Sequence, residues 1–213
     1  MAHEGPHDPG DHDHEHEHRH GPDHEPRLPH RDRGHEVRAK AAGEFSPVPE
    51  EHKARAPAYA KVYAITCSDT RTEATDEGGR FIRARLADLG HVHSGSAIVR
   101  DEPALILQQL DRAREAGAQV VLLTGGTGLS RRDSTFAAVA SVLARPIPGF
   151  GELFRSLSYA EIGSSAMLSR AVAGVRADGL LIFAMPGSPG AVRLACDRLI
   201  FPELTHLLEE LAR

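Results

Sequence analysis

The sequence predicts an α/β domain built on a mostly parallel sheet, and two observations support that prediction. Val120 to Leu123 form a short apolar run, which is typical of a strand buried on both faces in a parallel sheet. Because the carboxyl ends of parallel strands meet at one edge of a sheet, loops that follow such strands converge on one ligand site. Polar or glycine-rich loops follow four of the predicted strands, at residues 67–76, 100–102, 124–133 and 186–190.

The first half of the predicted fold alternates strands with amphipathic helices. A strand over 59–66 leads to a helix that Thr75 or Asp76 caps and that Gly90 ends. A second strand over 91–99 leads into a second helix. Each helix carries apolar residues at i, i+4 and i+7, which predicts one buried stripe per helix: Ile82, Leu86 and Leu89, then Ile106, Leu110 and Ala113.

The second half of the fold is predicted to contain three helices and two strands. A short turn at Asp178-Gly179 joins the two strands, which favours an antiparallel pair. In chain order we expect a helix from Ser134 or Thr135 to Leu143, a stiff turn at 146–152, a helix to about Leu157, strands over 171–175 and 180–185, and a closing helix interrupted at Pro202.

Residues 1–57 are predicted to form a disordered tail, and residues 58–213 the folded domain. The tail has few apolar residues, recurrent Pro and Gly, and 11 of the 14 histidines, so it cannot bury enough surface to offset its ordering entropy. Histidine and carboxylate side chains alternate from Asp11 to His18, a mixture that binds Zn²⁺, Ni²⁺ or Cu²⁺ loosely. The tail is either a solvated segment with incidental metal affinity or a segment that stores or senses metal.

Composition excludes several classes of protein. The tail holds 13 acidic and 8 basic residues and the remainder 17 of each, so the net charge of −5 argues against a nucleic-acid-binding surface. No apolar run approaches the ~20 residues of a membrane span. We therefore expect a cytoplasmic protein that binds neither nucleic acid nor membrane. Cys67 and Cys196 lack metal-ligand spacing and are expected to be reduced, mostly buried thiols.

The loop Thr124-Gly125-Gly126-Thr127-Gly128 joins the most apolar strand to a helix. A strand, a glycine loop and a helix in succession bring backbone N–H groups up to an anion. The loop is neither a Walker A, which needs Gly-Lys-Ser/Thr, nor a dinucleotide fingerprint, whose third glycine position holds Arg131. Taken alone it is a structural turn or an anion site, and the convergence of four such loops favours a ligand site.

Two carboxylates, Asp101 and Asp133, lie beside predicted helix starts near these loops. Each can either cap its helix or help to hold a metal. Mg²⁺ typically takes one or two carboxylates and otherwise binds water and phosphate oxygens. A glycine loop with two carboxylates therefore suits magnesium-assisted phosphoryl or nucleotidyl transfer. The folded part has no Ser-His-Asp spacing, so acyl transfer has little support.

Several motifs stand in a fixed order along the folded part. They are Thr-Gly-Gly-Thr-Gly at 124–128 with Arg132-Asp133, Pro-Gly-Phe-Gly-Glu at 148–152, Leu-Ser-Arg at 168–170 and Met-Pro-Gly-Ser at 185–188. Together they resemble the MoaB/Mog family of molybdenum cofactor biosynthesis proteins, which includes the molybdopterin adenylyltransferases. The resemblance covers about residues 59–210 and leaves out the tail.

The resemblance implies a three-layer α/β domain with a mostly parallel sheet, usually a trimer. It implies that molybdopterin and ATP are the substrates, that Mg²⁺ assists, and that the products are adenylylated molybdopterin and pyrophosphate. The family's two catalytic acidic positions fall on Asp101 and Asp133, which are also the expected Mg²⁺ ligands. The positions matched to substrate and nucleotide binding are Ser68, Asp69, Asp76, Thr124, Gly125, Gly126, Thr127, Gly128, Pro186, Gly187 and Ser188.

One stretch departs from the family pattern. After the aspartate the family's adenylyltransferases commonly have Val-Thr-Pro and an acidic residue, whereas this chain has Ser134-Thr135-Phe136-Ala137. The ring of Phe136 either fills the core or lines the pterin pocket. Two alternatives to the enzyme stay open: a non-catalytic molybdopterin-binding accessory protein, and a carrier that handles metal through its histidine-rich tail.

Overall fold

The computed structural model describes residues 57–130 and 133–213, which form a six-stranded sheet covered by helices on both faces. The predicted tail, apart from Pro57, lies outside the described residues. The strands lie side by side in the order β2-β1-β3-β6-β5-β4. They are β1 Lys61–Cys67, β2 Val92–Val99, β3 Val120–Thr124, β4 Leu143–Pro146, β5 Val172–Arg176 and β6 Leu181–Met185.

The helices alternate with these strands along the chain. The α-helices are α1 Glu77–Asp88, α2 Pro103–Glu115, α3 Thr135–Val142, α4 Pro148–Ile162, α5 Pro189–Ala195 and α6 Phe201–Ala212. A 3₁₀ helix, Gly163–Leu168, follows α4, and a π-helical turn, Cys196–Ile200, joins α5 to α6. Among the described helices, none is long and apolar enough to cross a membrane.

The most apolar strand, β3, divides its side chains between two cores. Val120 and Leu122 pack in the layer that holds α1, α4 and α6, while Val121 and Leu123 pack against α2 and α3. All five residues of β3 are buried. A strand that is apolar on both faces is stable only between two helical layers, so the predicted three-layer α/β class with a mostly parallel sheet is confirmed.

Strands β1, β2, β3 and β6 run parallel, and β5 pairs antiparallel with β6. The predicted antiparallel pair is therefore confirmed. The predicted cap of α1 is also confirmed, because Asp76 Oδ1 accepts a hydrogen bond from the Gly79 amide at 3.0 Å. Helix α2 buries Ile106, Leu110 and Ala113 as its spacing predicts.

Strand β4 was not expected from the sequence, which predicted a helix through Leu143. The chain leaves α3 at Val142 and pairs antiparallel with β5, placing Pro146 opposite Gly174. A Cβ on Gly174 would lie 2.7 Å from the Arg145 carbonyl oxygen, so the missing side chain permits the pairing. The proline is tolerated because β4 is an edge strand.

Three further boundaries differ from prediction. Leu89 is 41% exposed, because it follows the last turn of α1 instead of joining its buried stripe. Helix α4 continues past Leu157 to Ile162, where Gly163 adopts a φ of +60°. The closing helix is interrupted as predicted, but just before Pro202: the π-helical turn Cys196–Ile200 separates α5 from α6, and Pro202 lies in the first turn of α6.

Candidate active site

The register of the sheet brings the four predicted loops to one edge. Thr66 pairs with Thr124, and Thr124 with Met185, so β1, β3 and β6 end at the same level. Beside them the Ser68 amide donates to the Val99 carbonyl at 2.8 Å. A cleft of about 310 Å³ opens there, lined by Thr66, Cys67, Ser68, Asp69, Arg71, Asp101, Thr124, Gly125, Gly126, Asp133 and Gly187.

Two glycines give the loop after β3 its shape. Gly125 has a φ of +92°, and a Cβ on it would lie 2.3 Å from the Cys67 carbonyl oxygen. Gly126 has a φ of +62°, and a Cβ there would lie 2.3 Å from Asp101 Oδ2. Residues that carry a Cβ rarely adopt such φ values. The loop therefore passes close to two neighbouring strand ends only because it lacks side chains.

The carboxylate of Asp101 ties the end of β2 to the start of α3. Its Oδ1 accepts hydrogen bonds from the Ser134 amide at 3.1 Å, the Ser134 hydroxyl at 2.8 Å and the Thr135 hydroxyl at 3.1 Å. Its Oδ2 lies against Gly126. The alternative that Asp101 caps α2 is wrong, since Glu102 is the N-cap residue and its side chain makes no capping hydrogen bond.

Asp133 lies at the other end of the glycine loop. Its Oδ2 accepts a hydrogen bond from the Ser130 amide at 2.9 Å, and a Cβ on Gly128 would lie 2.7 Å from the same oxygen. Ser134, and not Asp133, is the N-cap residue of α3, although its hydroxyl serves Asp101 and makes no capping bond. The two candidate catalytic carboxylates thus flank one glycine loop and line one cleft.

Arg170 fixes the glycine loop from behind, a role that the sequence did not reveal. Its Nε donates to the Thr127 carbonyl at 2.8 Å, and its Nη2 donates to the carbonyls of Gly128 and Asp133. The guanidinium carbon lies 4.9 Å from the centre of the Phe136 ring, within cation–π range. The guanidinium of Arg170 is thus engaged by loop carbonyls.

These carbonyl contacts determine where the loop's amides point. In a trans peptide the C=O and the N–H face opposite ways. The Gly126 carbonyl accepts from the Thr135 amide at 3.0 Å, and the Thr127 carbonyl from Arg170. The amides of Thr127 and Gly128 therefore point away from α3 and Arg170, and no described residue accepts from them. Thr127 and Gly128 themselves lie outside the described lining of the cleft.

Asp76 lies deeper than the cleft and connects to it through two hydroxyls. It is 2% exposed, its Oδ2 accepts from the Thr66 hydroxyl at 2.9 Å, and the Thr124 and Thr66 hydroxyl oxygens are 3.4 Å apart. Asp76 lines a neighbouring polar cavity of about 260 Å³ together with Glu73 and Arg83, and Thr66 lines both cavities. Its direct contacts are those of a helix cap and a buried hydrogen-bond acceptor.

The structure brings together eight of the thirteen site residues that the sequence singled out. Thr127 is 2% exposed, and Ser188 caps α5 by accepting from the Ala191 amide at 3.3 Å. The residues that line the cleft are Ser68, Asp69, Asp101, Thr124, Gly125, Gly126, Asp133 and Gly187; those outside its described lining are Asp76, Thr127, Gly128, Pro186 and Ser188.

Both cysteines are buried and unpaired, as expected. Burial raises the pKa of the Cys67 thiol to about 12, the hydrogen bond with Thr135 opposes this, and the charge of Asp101 adds to it. Cys67 is therefore a neutral thiol at physiological pH, which excludes a thiolate nucleophile at this wall of the cleft.

The carboxylates of the cleft fit a magnesium ion whose remaining ligands are phosphate oxygens and water. Among the described residues no group of three or more His, Cys, Asp or Glu side chains forms a metal cluster. Mg²⁺ needs only one or two carboxylates when substrate phosphates and water complete its octahedron. Asp101 and Asp133 supply two carboxylates on the cleft wall, so these two residues would hold the ion.

Fold and site together define a class of protein. A glycine loop and two carboxylates at the carboxyl edge of parallel strands form the candidate ligand site of an open α/β domain.

A family model described as a probable molybdopterin binding domain matches residues 63–206, and the chain belongs to this family. It is 48% identical over 166 residues to molybdenum cofactor biosynthesis protein B of Halalkalibacterium halodurans, a match that covers 77% of this chain and 97% of that relative.

Solved structures agree with this assignment. A crystal structure of molybdenum cofactor biosynthesis protein B has a TM-score of 0.71 and 46% identity, covering 75% of this chain and 99% of that one. The structure of the tungsten cofactor synthesizing protein MoaB from Pyrococcus furiosus has a TM-score of 0.69 and 34% identity, and the match covers 74% of this chain and 100% of that one.

Proposed function

We propose that this protein acts in molybdenum cofactor biosynthesis as a molybdopterin adenylyltransferase that uses Mg²⁺ and ATP. The observation that carries the proposal is the position of Asp101 and Asp133, whose carboxylates flank one glycine loop in one cleft. The family match and the names of the relatives support the pathway. The carboxylate pair and the glycine loop beside it support nucleotidyl transfer within it.

The proposed reaction joins the terminal phosphate of molybdopterin to the adenylyl group of ATP. A phosphate oxygen of molybdopterin attacks the α-phosphorus, the bond from that phosphorus to the bridging oxygen breaks, and pyrophosphate leaves with both bond electrons. Mg²⁺, when bound, offsets the negative charge on the phosphates. The glycine loop 124–128 binds phosphate oxygens, and Asp101 and Asp133 would hold the ion.

Pyrophosphate release tests this proposal with substitutions that keep hydrogen bonding and remove charge. Asn at position 101 or 133 still offers an oxygen to Ser134, Thr135 or Ser130. A lost carboxylate weakens an interaction worth several kcal/mol in the transition state, so turnover should fall on the order of 100-fold while molybdopterin affinity changes little.

The control is Asp88→Asn on the surface of α1, where Asp88 pairs with Arg85 in an exposed contact. The control variant should turn over like the wild type. Equal turnover in Asp133→Asn, Asp101→Asn and the wild type would contradict the proposal.

A non-catalytic molybdopterin-binding role is the second candidate, and Phe136 is the observation that favours it. The ring packs against Arg170, where the family's adenylyltransferases commonly carry proline. Under this alternative the protein binds molybdopterin and releases no pyrophosphate with ATP and Mg²⁺. Detectable, Mg²⁺-dependent release would exclude it.

Assembly and the tail complete the proposal. We propose a cytoplasmic homotrimer, supported by an exposed apolar surface on α4 and the 3₁₀ helix: Leu153, Tyr159, Ile162, Met167 and Leu168. Sedimentation velocity distinguishes a trimer from a monomer.

We further propose that residues 1–57 are a separate, loosely metal-binding segment that the chemistry does not need. Unchanged Zn²⁺ and Ni²⁺ affinity after its deletion would contradict that metal role.

A further inference from the structure

Arg71 is the one basic side chain among the described residues that line the cleft. The same lining carries three carboxylates, those of Asp69, Asp101 and Asp133. Among the described residues of the lining, carboxylates therefore outnumber basic side chains, although Arg100 Nε lies 3.8 Å from Asp69 Oδ1, and negative charge repels a phosphate ligand at short range. A divalent cation offsets part of this repulsion, and a cation fixed to the protein offsets more.

The loop after β6 holds the guanidinium of Arg71, and the loop after β1 holds its backbone. Its Nη2 donates to the Gly187 carbonyl at 2.8 Å, and its backbone amide donates to the Ser68 hydroxyl oxygen at 3.1 Å. Gly187 in turn packs on the glycine loop, since a Cβ on it would lie 3.0 Å from Gly125 Cα. Arg71 therefore bridges the loop after β1 and the loop after β6 beside the glycine loop.

Most of the donors of this guanidinium remain available. An arginine carries five N–H donors in a rigid, planar fork that matches two phosphate oxygens. The described residues engage one of them, through the Gly187 carbonyl. A side chain that only fastened a loop would not need to stand on the cleft wall with its other donors unengaged.

We propose that Arg71 binds the phosphate groups of the nucleotide in the cleft, opposite the carboxylates that hold Mg²⁺. This inference rests on the proposed function, which supplies a polyphosphate as ligand. Arg71 gives the cleft its anion-binding charge, while the bond to Gly187 fixes the direction of the guanidinium.

Calorimetric titration of the full chain with ATP and Mg²⁺ tests this role without requiring turnover. A charge-assisted hydrogen bond accounts for about 10- to 100-fold in affinity, so Arg71→Gln should weaken ATP binding by that factor. Arg71→Lys keeps the charge and loses the fork, and should restore part of the loss. The affinity of Arg71→Gln should also fall less steeply with added KCl, because one charge pair is gone.

The matched control is Arg193→Gln, which removes one positive charge outside the cleft lining, where the guanidinium lies 5.6 Å from the Phe81 ring. It should bind ATP like the wild type. Equal weakening in Arg71→Gln and Arg71→Lys, with unchanged salt dependence, would show a purely structural clamp and overturn the inference. Wild-type affinity in Arg71→Gln would overturn it too and leave the proposed function standing. A wild type that binds molybdopterin but no ATP would overturn both.

Discussion

Gly125 occupies a position that no other residue fits. Its φ of +92° is strained for an L-residue, and a Cβ would lie 2.3 Å from the backbone oxygen of Cys67, which cannot swing aside as a side chain can. The glycine thus permits the close approach of β3 and β1 on which the cleft depends.

Gly125→Ala should destabilise the fold by more than the backbone strain alone, which is about 1–2 kcal/mol. Gly117→Ala is the control, because Gly117 has a φ of +77° but nothing within 4 Å of an added Cβ. Urea denaturation of both variants separates strain from steric clash. Equal losses of the free energy of unfolding would show that the Cys67 contact is not restrictive.

The Cys67 thiol predicts a dependence of stability on alkaline pH. Its pKa is raised from an ordinary value of 9.0 to about 12 in the folded state. The folded state therefore keeps the proton that the unfolded state loses, so stability is full below about pH 9 and falls as pH rises towards 12.

Urea denaturation between pH 8 and about pH 10.5 should show the free energy of unfolding falling more steeply in the wild type than in Cys67→Ala. The limiting difference is about 1.4 kcal/mol per pH unit for one thiol. Parallel slopes in the two proteins would contradict the raised pKa.

At the scale of elements, Asp76 accepts two hydrogen bonds at the start of helix α1. The carboxylate accepts from the Gly79 amide and from the Thr66 hydroxyl, so one residue caps the helix and joins it to β1. Helix α2 begins at Glu102 without a side-chain cap.

Asp76→Ala should lower the free energy of unfolding by about 1–2 kcal/mol from the cap, with a further loss from the buried bond to Thr66. Glu102→Ala, at the N-cap position of α2, should change it by less than about 0.5 kcal/mol. Thermal and urea unfolding of the two variants make the comparison. Similar losses in both would mean that the Asp76 side chain adds nothing.

The glycine loop is an element whose order depends on Arg170. The guanidinium binds three loop carbonyls and stacks on Phe136 at the start of α3. Arg170→Met keeps much of the apolar contact and removes the donors. Hydrogen exchange of the Gly125 and Ser130 amides, which donate to the Met185 carbonyl and to the Asp133 carboxylate, should then quicken, while exchange in β5 stays slow. Unchanged exchange in the loop would show that it holds its shape without the arginine.

The sequence predicted the elements better than the contacts between them. Apolar runs located β1, β3 and β6, and helix spacing located α1 and α2, because burial of a whole strand or of one helix stripe leaves a recognisable pattern in the sequence. Strand β4 was not predicted, because its four residues depend on pairing with Gly174, a long-range partner that no local pattern reveals. The same limit applies to Arg170, whose target carbonyls lie about forty residues earlier in the chain.

At the scale of the whole molecule, the sheet converts sequence order into a site. Parallel pairing in register places the ends of β1, β3 and β6 at the same level, and this alone brings the loops that follow them together. This is why the convergence of Asp101, Asp133 and the glycine loop could be predicted from strand ends alone. The connection of Asp76 to the cleft through the hydroxyls of Thr66 and Thr124 could not be predicted, because it depends on side-chain directions in the packed core.

Phosphate labelling tests most directly whether this cleft transfers an adenylyl group, as we propose. The full chain is incubated with molybdopterin, Mg²⁺ and ATP that carries label on either the α- or the γ-phosphate. We predict that α-label joins the pterin product and γ-label leaves in pyrophosphate, and that both processes slow on the order of 100-fold in Asp101→Asn and Asp133→Asn. Label from the γ-phosphate on the pterin, or no transfer while molybdopterin is bound, would contradict it.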